Sequence, residues 1–149
     1  MPGLYFEDFF VGQKNISAVR SMTEEDILSF AGLTGDNNKI HVDEEFARRT
    51  PYGRRIAHGL LGLSMAVGLL MKTGMLDDTV IAFREILEWK FTKPVFIGDE
   101  IHAEIEVTQM KQMPRLRGGL VLVAMDVKNQ RGETAMQGTL SVLVSSKPG

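Results

Sequence analysis

The longest apolar stretch of the chain covers residues 56–71. Within it Ile56, Leu60, Leu63, Val67 and Leu70 recur at helical spacing. Gly59, Gly62, Ala66 and Gly68 put small residues at other positions, so the predicted helix is apolar on nearly all sides and must be wrapped by other elements. At 16 residues, with His58 inside it, the stretch falls short of a membrane span. After Gly74 the period shortens. Residues 80–91 read as a strand with Ile81, Phe83, Leu87, Trp89 and Phe91 on one face. Pro94 and Gly98-Asp99 break the pattern. Ile101, Ala103, Ile105 and Val107 then alternate with polar residues, as a half-buried strand does. Residues 120–128 form a more continuous apolar strand, and 129–132 a turn. In 134–144, Met136, Leu140, Val142 and Val144 share a face.

The first half is less regular. The first ten residues read as a segment wrapping the surface, and 14–20 as a weak first strand. Thr23 followed by Glu24-Glu25-Asp26 is a helix start, because a threonine oxygen accepts an early free N–H and acids suit the positive end of the helix dipole. Ile27, Leu28, Phe30 and Ala31 give that helix an apolar stripe, and it should end near 32–35. Residues 34–41 are turn chemistry. Residues 43–49 look like another short helix capped by Asp43, and Pro51 and Gly53 punctuate a loop. Helices first and antiparallel strands after predict an α+β domain spanning 1–149, with a curled sheet around one long apolar helix, the hot-dog arrangement.

Composition narrows the function. With 44% hydrophobic and 24% charged residues, the chain is globular. A net charge of −2 supplies no global field for nucleic acid. The absence of cysteine removes disulfides, thiol nucleophiles and thiolate metal sites. The acidic, aromatic start lacks the basic segment of a signal peptide, so a cytoplasmic protein without membrane association is expected.

The strongest local feature is Gly35-Asp36-Asn37-Asn38-Lys39-Ile40-His41, with Ala47 six residues beyond the histidine. It resembles the hydratase motif of the MaoC-like dehydratases, which include the (R)-specific enoyl-CoA hydratases. Gly35, Asp36, Asn38, Ile40, His41 and Ala47 match in place. Ala57-His58-Gly59 resembles that family's entry into its central helix, and Phe91 to Asp99 its turn between strands. The resemblance runs from about residue 23 to 105. Two positions depart from it. Lys39 stands where the family usually has proline, and Val67 where short-chain hydratases often carry serine, Ser64 being the nearest hydroxyl.

A carboxylate and an imidazole gripping one water suit addition of that water across a carbon–carbon double bond, because one proton must leave the water and one must reach carbon. Asp36 and His41 are the expected pair, and the loop between them must curl for both to meet one water. Asn38 is expected to brace the loop beside the substrate. The resemblance implies that the Gly59 amide holds a thioester carbonyl, which fits unpaired N–H groups at a helix start. Arg54 and Arg55, in a cluster with Arg48 and Arg49, are candidates for coenzyme A phosphates. His58 reads more simply as a helix-entry residue bonding backbone. Asp36, His41 and His58 are metal-ligand types without the usual ligand spacing, so no metal is expected.

The resemblance thus implies a lyase that reversibly hydrates trans-2-enoyl-CoA to (3R)-3-hydroxyacyl-CoA, with the coenzyme A thioester as substrate and no further cofactor. The competing readings are a hot-dog thioesterase and a non-catalytic acyl-CoA binding module. Against the first, residues 56–71 hold no Asp or Glu. An open sheet edge invites pairing, and with the resemblance it implies a homodimer or a multiple of one.

Overall fold

The computed structural model describes residues 3–149, so the first two positions of the predicted wrapping segment lie outside the described residues. Two short strands, β1 (Lys14–Ile16) and β2 (Arg20–Ser21), precede the helices α1 (Glu24–Thr34), α2 (Lys39–Val42), α3 (Glu44–Arg48) and α4 (Gly59–Lys72). Four long strands follow: β3 (Val80–Phe91), β4 (Glu100–Met113), β5 (Gly118–Lys128) and β6 (Thr134–Ser145). The pairing is antiparallel throughout, in the order β1-β4-β5-β6-β3, with β2 also on β4.

One face of this sheet packs on α4. Leu61, Ala66, Leu69 and Leu70 join Ile101, Ala103, Ile105 and Val107 of β4, Val121 and Val123 of β5, and Leu140 and Val142 of β6 in a single core. Burying each large aliphatic side chain contributes roughly 1.5–3 kcal/mol. At one end of the core Phe6 enters where Gly119 has no Cβ; a side-chain carbon there would collide with its ring. The two ends of the chain meet beside it, with Lys147 N–H donating to Glu7 at 2.8 Å and Lys147 Nζ paired with Asp8 at 2.8 Å. Among the described residues no helix is long and apolar enough to cross a membrane.

Three expectations change. The predicted strand at 14–20 is two short strands separated at Ser17, whose N–H and hydroxyl bond the backbone of Ala103 at 2.9 and 2.8 Å. The long helix starts at Gly59, not 56, because Ala57 N–H donates to Val95 at 2.8 Å and Ile56 bridges Phe96 in extended pairing. β3 does not keep one apolar face. Its register slips three times against β6, and Glu88 sits at φ 51°, in the left-handed region. The register sets Phe83, Ile86 and Phe91 opposite the core residues Val142, Leu140 and Met136. These three remain 41%, 45% and 51% exposed, since β3 is the sheet edge.

Candidate active site

α1 opens with a reciprocal cap. Thr23 accepts from Asp26 N–H at 3.1 Å, and Asp26 accepts from Thr23 N–H at 3.0 Å. The Arg20 guanidinium beside it holds the Asp26 carboxyl below its ordinary range. The helix stops at Gly35, whose φ of 83° turns the chain into the motif. Side chains then curl the loop. Thr34 Oγ1 accepts from Asp36 N–H at 3.2 Å, Asp36 Oδ1 from Asn38 N–H at 3.3 Å, and Asn38 Oδ1 from Ile40 N–H at 3.1 Å. Asn38 therefore caps α2, the single turn that carries His41. Lys39 is the first residue of that turn, a place that suits proline because the N–H there has no helical partner. The departure at Lys39 leaves the turn intact, since Asn38 makes the cap.

The segment 56–58 fixes both members of the pair. His41 Nδ1 lies 2.8 Å from the Ile56 carbonyl. A carbonyl only accepts, so Nδ1 carries the hydrogen and Nε2 is left open. His58, 3% exposed, donates from Nε2 to the Asp36 carbonyl at 3.0 Å, while its buried Nδ1 has no partner among the described residues. The rings of His41 and His58 stack with centroids 3.9 Å apart, and Phe30 tilts against His58 at 4.8 Å. One polar side-chain atom from each of Asp36, His41 and His58 lies within 4.8 Å of the others. Asp36 itself is exposed.

Gly59 opens α4, and the first amide to bond back along the helix is Gly62, to His58 at 3.1 Å. The amides of Gly59, Leu60 and Leu61 thus precede the intrahelical ladder. Phe91 closes over the helix start; a Cβ on Gly59 would lie 3.1 Å from its ring. A cleft of about 450 Å³ opens there, walled by His58, Gly59, Tyr52, Phe91 and Met136 among others.

The two candidate arginines part ways. Arg54 lies over the Phe96 ring at 3.8 Å. Arg55 is committed to Glu24 at 2.9 Å and Glu44 at 3.0 Å, with its side chain 10% exposed. Burial alone would lower its pKa; the bonds to the two carboxylates outweigh this and hold it above its ordinary value. Arg55 therefore braces α1 against α3 and is not free for the phosphates expected of it. Ser64 is exposed, and Val67 packs partly buried against the core. His58 is the helix-entry residue bonding backbone that the sequence suggests; what the sequence does not show is that its partner is Asp36 and that Ile56 anchors His41.

A model of the MaoC-like domain matches residues 11–129. The chain belongs to this family. It is 37% identical over 107 residues to 3-hydroxybutyryl-CoA dehydratase of Methylorubrum extorquens, covering 72% of this chain and 66% of that protein. It is 38% identical over 104 residues to (R)-specific enoyl-CoA hydratase of Rhodospirillum rubrum, covering 70% and 69%. Among solved structures, one described as monoamine oxidase regulatory protein from Archaeoglobus fulgius superposes with a TM-score of 0.92 at 38% identity, covering 99% and 98%. A Mycobacterium tuberculosis protein with a double hotdog fold superposes at TM-score 0.84 and 18% identity, covering 99% of this chain and 47% of that one, a likeness of fold alone. The MaoC-like chain is thus a hot-dog domain. Its named relatives make its family one of hydratases and dehydratases.

Proposed function

We propose that this chain reversibly hydrates a trans-2-enoyl-CoA to a (3R)-3-hydroxyacyl-CoA. The observation that carries the proposal is the pairing of Asp36 with His41. Their side-chain atoms approach within 4.8 Å, and His41 Nε2 is left open by the bond from Nδ1 to Ile56. Two hydrogen bonds of about 2.8 Å meeting at one water span roughly 4.6 Å. A water held by both groups is compatible with this spacing. The pair removes a proton from that water as its oxygen bonds to C3, and returns a proton to C2. The atoms of water balance the reaction, so no redox cofactor enters. The same three side chains suit a metal poorly. His58 Nε2 already donates to the Asp36 backbone carbonyl, and the stacked rings of His41 and His58 do not aim their in-plane lone pairs at one point.

Attack at C3 drives negative charge onto the thioester oxygen. The free Gly59 amide at the positive end of α4 stabilises it, and the cleft beside Gly59 receives the thioester. Arg54 remains the arginine available for the phosphates of coenzyme A, and Asn38 shapes the loop that presents the pair. A second copy of the chain covers the apolar residues left exposed along β3, giving a homodimer.

The test follows a short trans-2-enoyl-CoA by its conjugated-thioester ultraviolet absorbance. Wild type removes the absorbance, and Asp36→Asn and His41→Ala lose at least about 100-fold in rate, as removal of a general acid or base does. Release of free thiol in place of hydration would make the protein a thioesterase. Binding without turnover would make it an acyl-CoA binding module.

A further inference from the structure

We infer that His58 is the positioning residue of this site, holding the Asp36 loop at working distance from His41; the inference rests on Asp36 and His41 being the catalytic pair. His58 is 3% exposed, an unusual place for an imidazole at a helix start, and it makes no side-chain cap for α4. Its Nε2 instead reaches 22 residues back to the Asp36 carbonyl. Its ring face is packed by Phe30 and by His41. Two residues earlier, the Ile56 carbonyl takes the His41 hydrogen. A three-residue segment thus registers both partners, and its next residue is Gly59.

The Asp36 loop needs this tie. Asp36, Asn37 and Asn38 are exposed, and the other bonds that shape the loop are local ones, from its own side chains and from Asn37 N–H to the Gly35 carbonyl. Local turns set curvature but not distance from a ring on another turn. The bond from His58 supplies that distance, as outer partners do for groups that touch a substrate. His58 need not touch the substrate or exchange a proton to do so.

Two replacements separate the bond from the ring. His58→Phe keeps a flat ring between Phe30 and His41 and removes the donor. His58→Gln keeps an N–H near the position of Nε2 and removes the ring. The experiment measures kcat and KM on a short trans-2-enoyl-CoA, with Tm for each variant. The expected result is a kcat at least tenfold lower for His58→Phe at a KM within twofold of wild type, with His58→Gln recovering most of the loss. A His58→Phe kcat within twofold of wild type overturns the inference. So does an equal fall in both variants that tracks a fall in Tm, which would make His58 a folding residue only. If wild type itself turns over no faster than Asp36→Asn, the hydratase reading fails and takes this inference with it; an active wild type keeps the two failures distinct.

Discussion

His41 lies face to face with His58, ring centroids 3.9 Å apart and planes 26° from parallel. The two imidazoles come from opposite ends of a long connection, one on α2 and one at the threshold of α4. Each bonds a backbone carbonyl on the other's segment. His41 bonds Ile56, and His58 bonds Asp36. Neither catalytic candidate is therefore positioned by its own turn alone.

The helix start and Phe91 leave no room for a side chain between them. Gly59→Ala puts a carbon 3.1 Å from the Phe91 ring, tighter than an ordinary contact. It retains the amide, so the expected outcome is a fall in kcat/KM of about tenfold, or 1.4 kcal/mol, with little change in Tm. Adding Phe91→Ala should restore space at the cleft, and steady-state kinetics on the double variant should show partial recovery. A double variant no better than Gly59→Ala would refute the steric account.

Neighbouring arginines should respond oppositely. Arg55→Ala breaks two ion pairs whose carboxylates are half exposed, which limits the loss to about 1 kcal/mol. For a chain of this size that is roughly 2–4 °C in Tm, with KM unchanged. Arg54→Ala should leave Tm within about 1 °C, as surface substitutions usually do, and raise KM for coenzyme A thioesters but not for thioesters lacking the nucleotide. Thermal melts and initial rates on both variants check the pair. Equal KM values across all three proteins would remove arginine from the phosphate site.

The exposed aromatic and aliphatic residues of β3 predict an association state. Phe83 and Ile86 face the core side of the sheet yet stay 41% and 45% exposed. Light scattering should report a dimer or a multiple for wild type, and Phe83→Lys with Ile86→Lys should shift it to monomer with secondary structure retained by circular dichroism. A wild-type monomer at micromolar concentration would contradict this.

The turn between β5 and β6 should be a source of acid sensitivity. Glu133 accepts from Lys93 at 2.8 Å, Arg131 at 2.8 Å and Asn129 at 3.0 Å. These partners, Lys93 foremost, lower its pKa from 4.5 to about 2. A depressed carboxyl pKa stabilises the fold above the unfolded value and loses that contribution as pH falls through the folded one. Glu133→Gln should thus lower Tm at pH 7, and its difference from wild type should shrink between pH 4.5 and 2. A difference independent of pH would show that packing, not charge, holds the turn.

Much of this architecture is legible in the chain. Period-two alternation places the first half of β4, and the Thr23 cap places the start of α1 to the residue. The curled loop follows from Asp36 and Asn38, whose side chains bond backbone two residues on. What escaped was non-local. An apolar Ile56-Ala57 reads as helix in isolation, and only pairing with residues 95–96 makes it extended. A bulge leaves no period to read, so the slips in β3 went unseen. Arg55 looked like its neighbour Arg54 because its partners Glu24 and Glu44 are remote in sequence. His58 is legible as a helix-entry residue bonding backbone, but its partner Asp36, 22 residues away, is not.

Phe6 beside Gly119, and Lys147 bound to Glu7 and Asp8, have a consequence for how the protein is made. The plug at one end of the core precedes α4 in the chain, and its clasp follows β6. β6, which pairs with both β5 and β3, is also late. While the chain is still on the ribosome, the apolar helix α4 has neither its full sheet nor its seal. Closure therefore waits until residue 147 has emerged, and until then α4 is the segment most in need of a chaperone's cover.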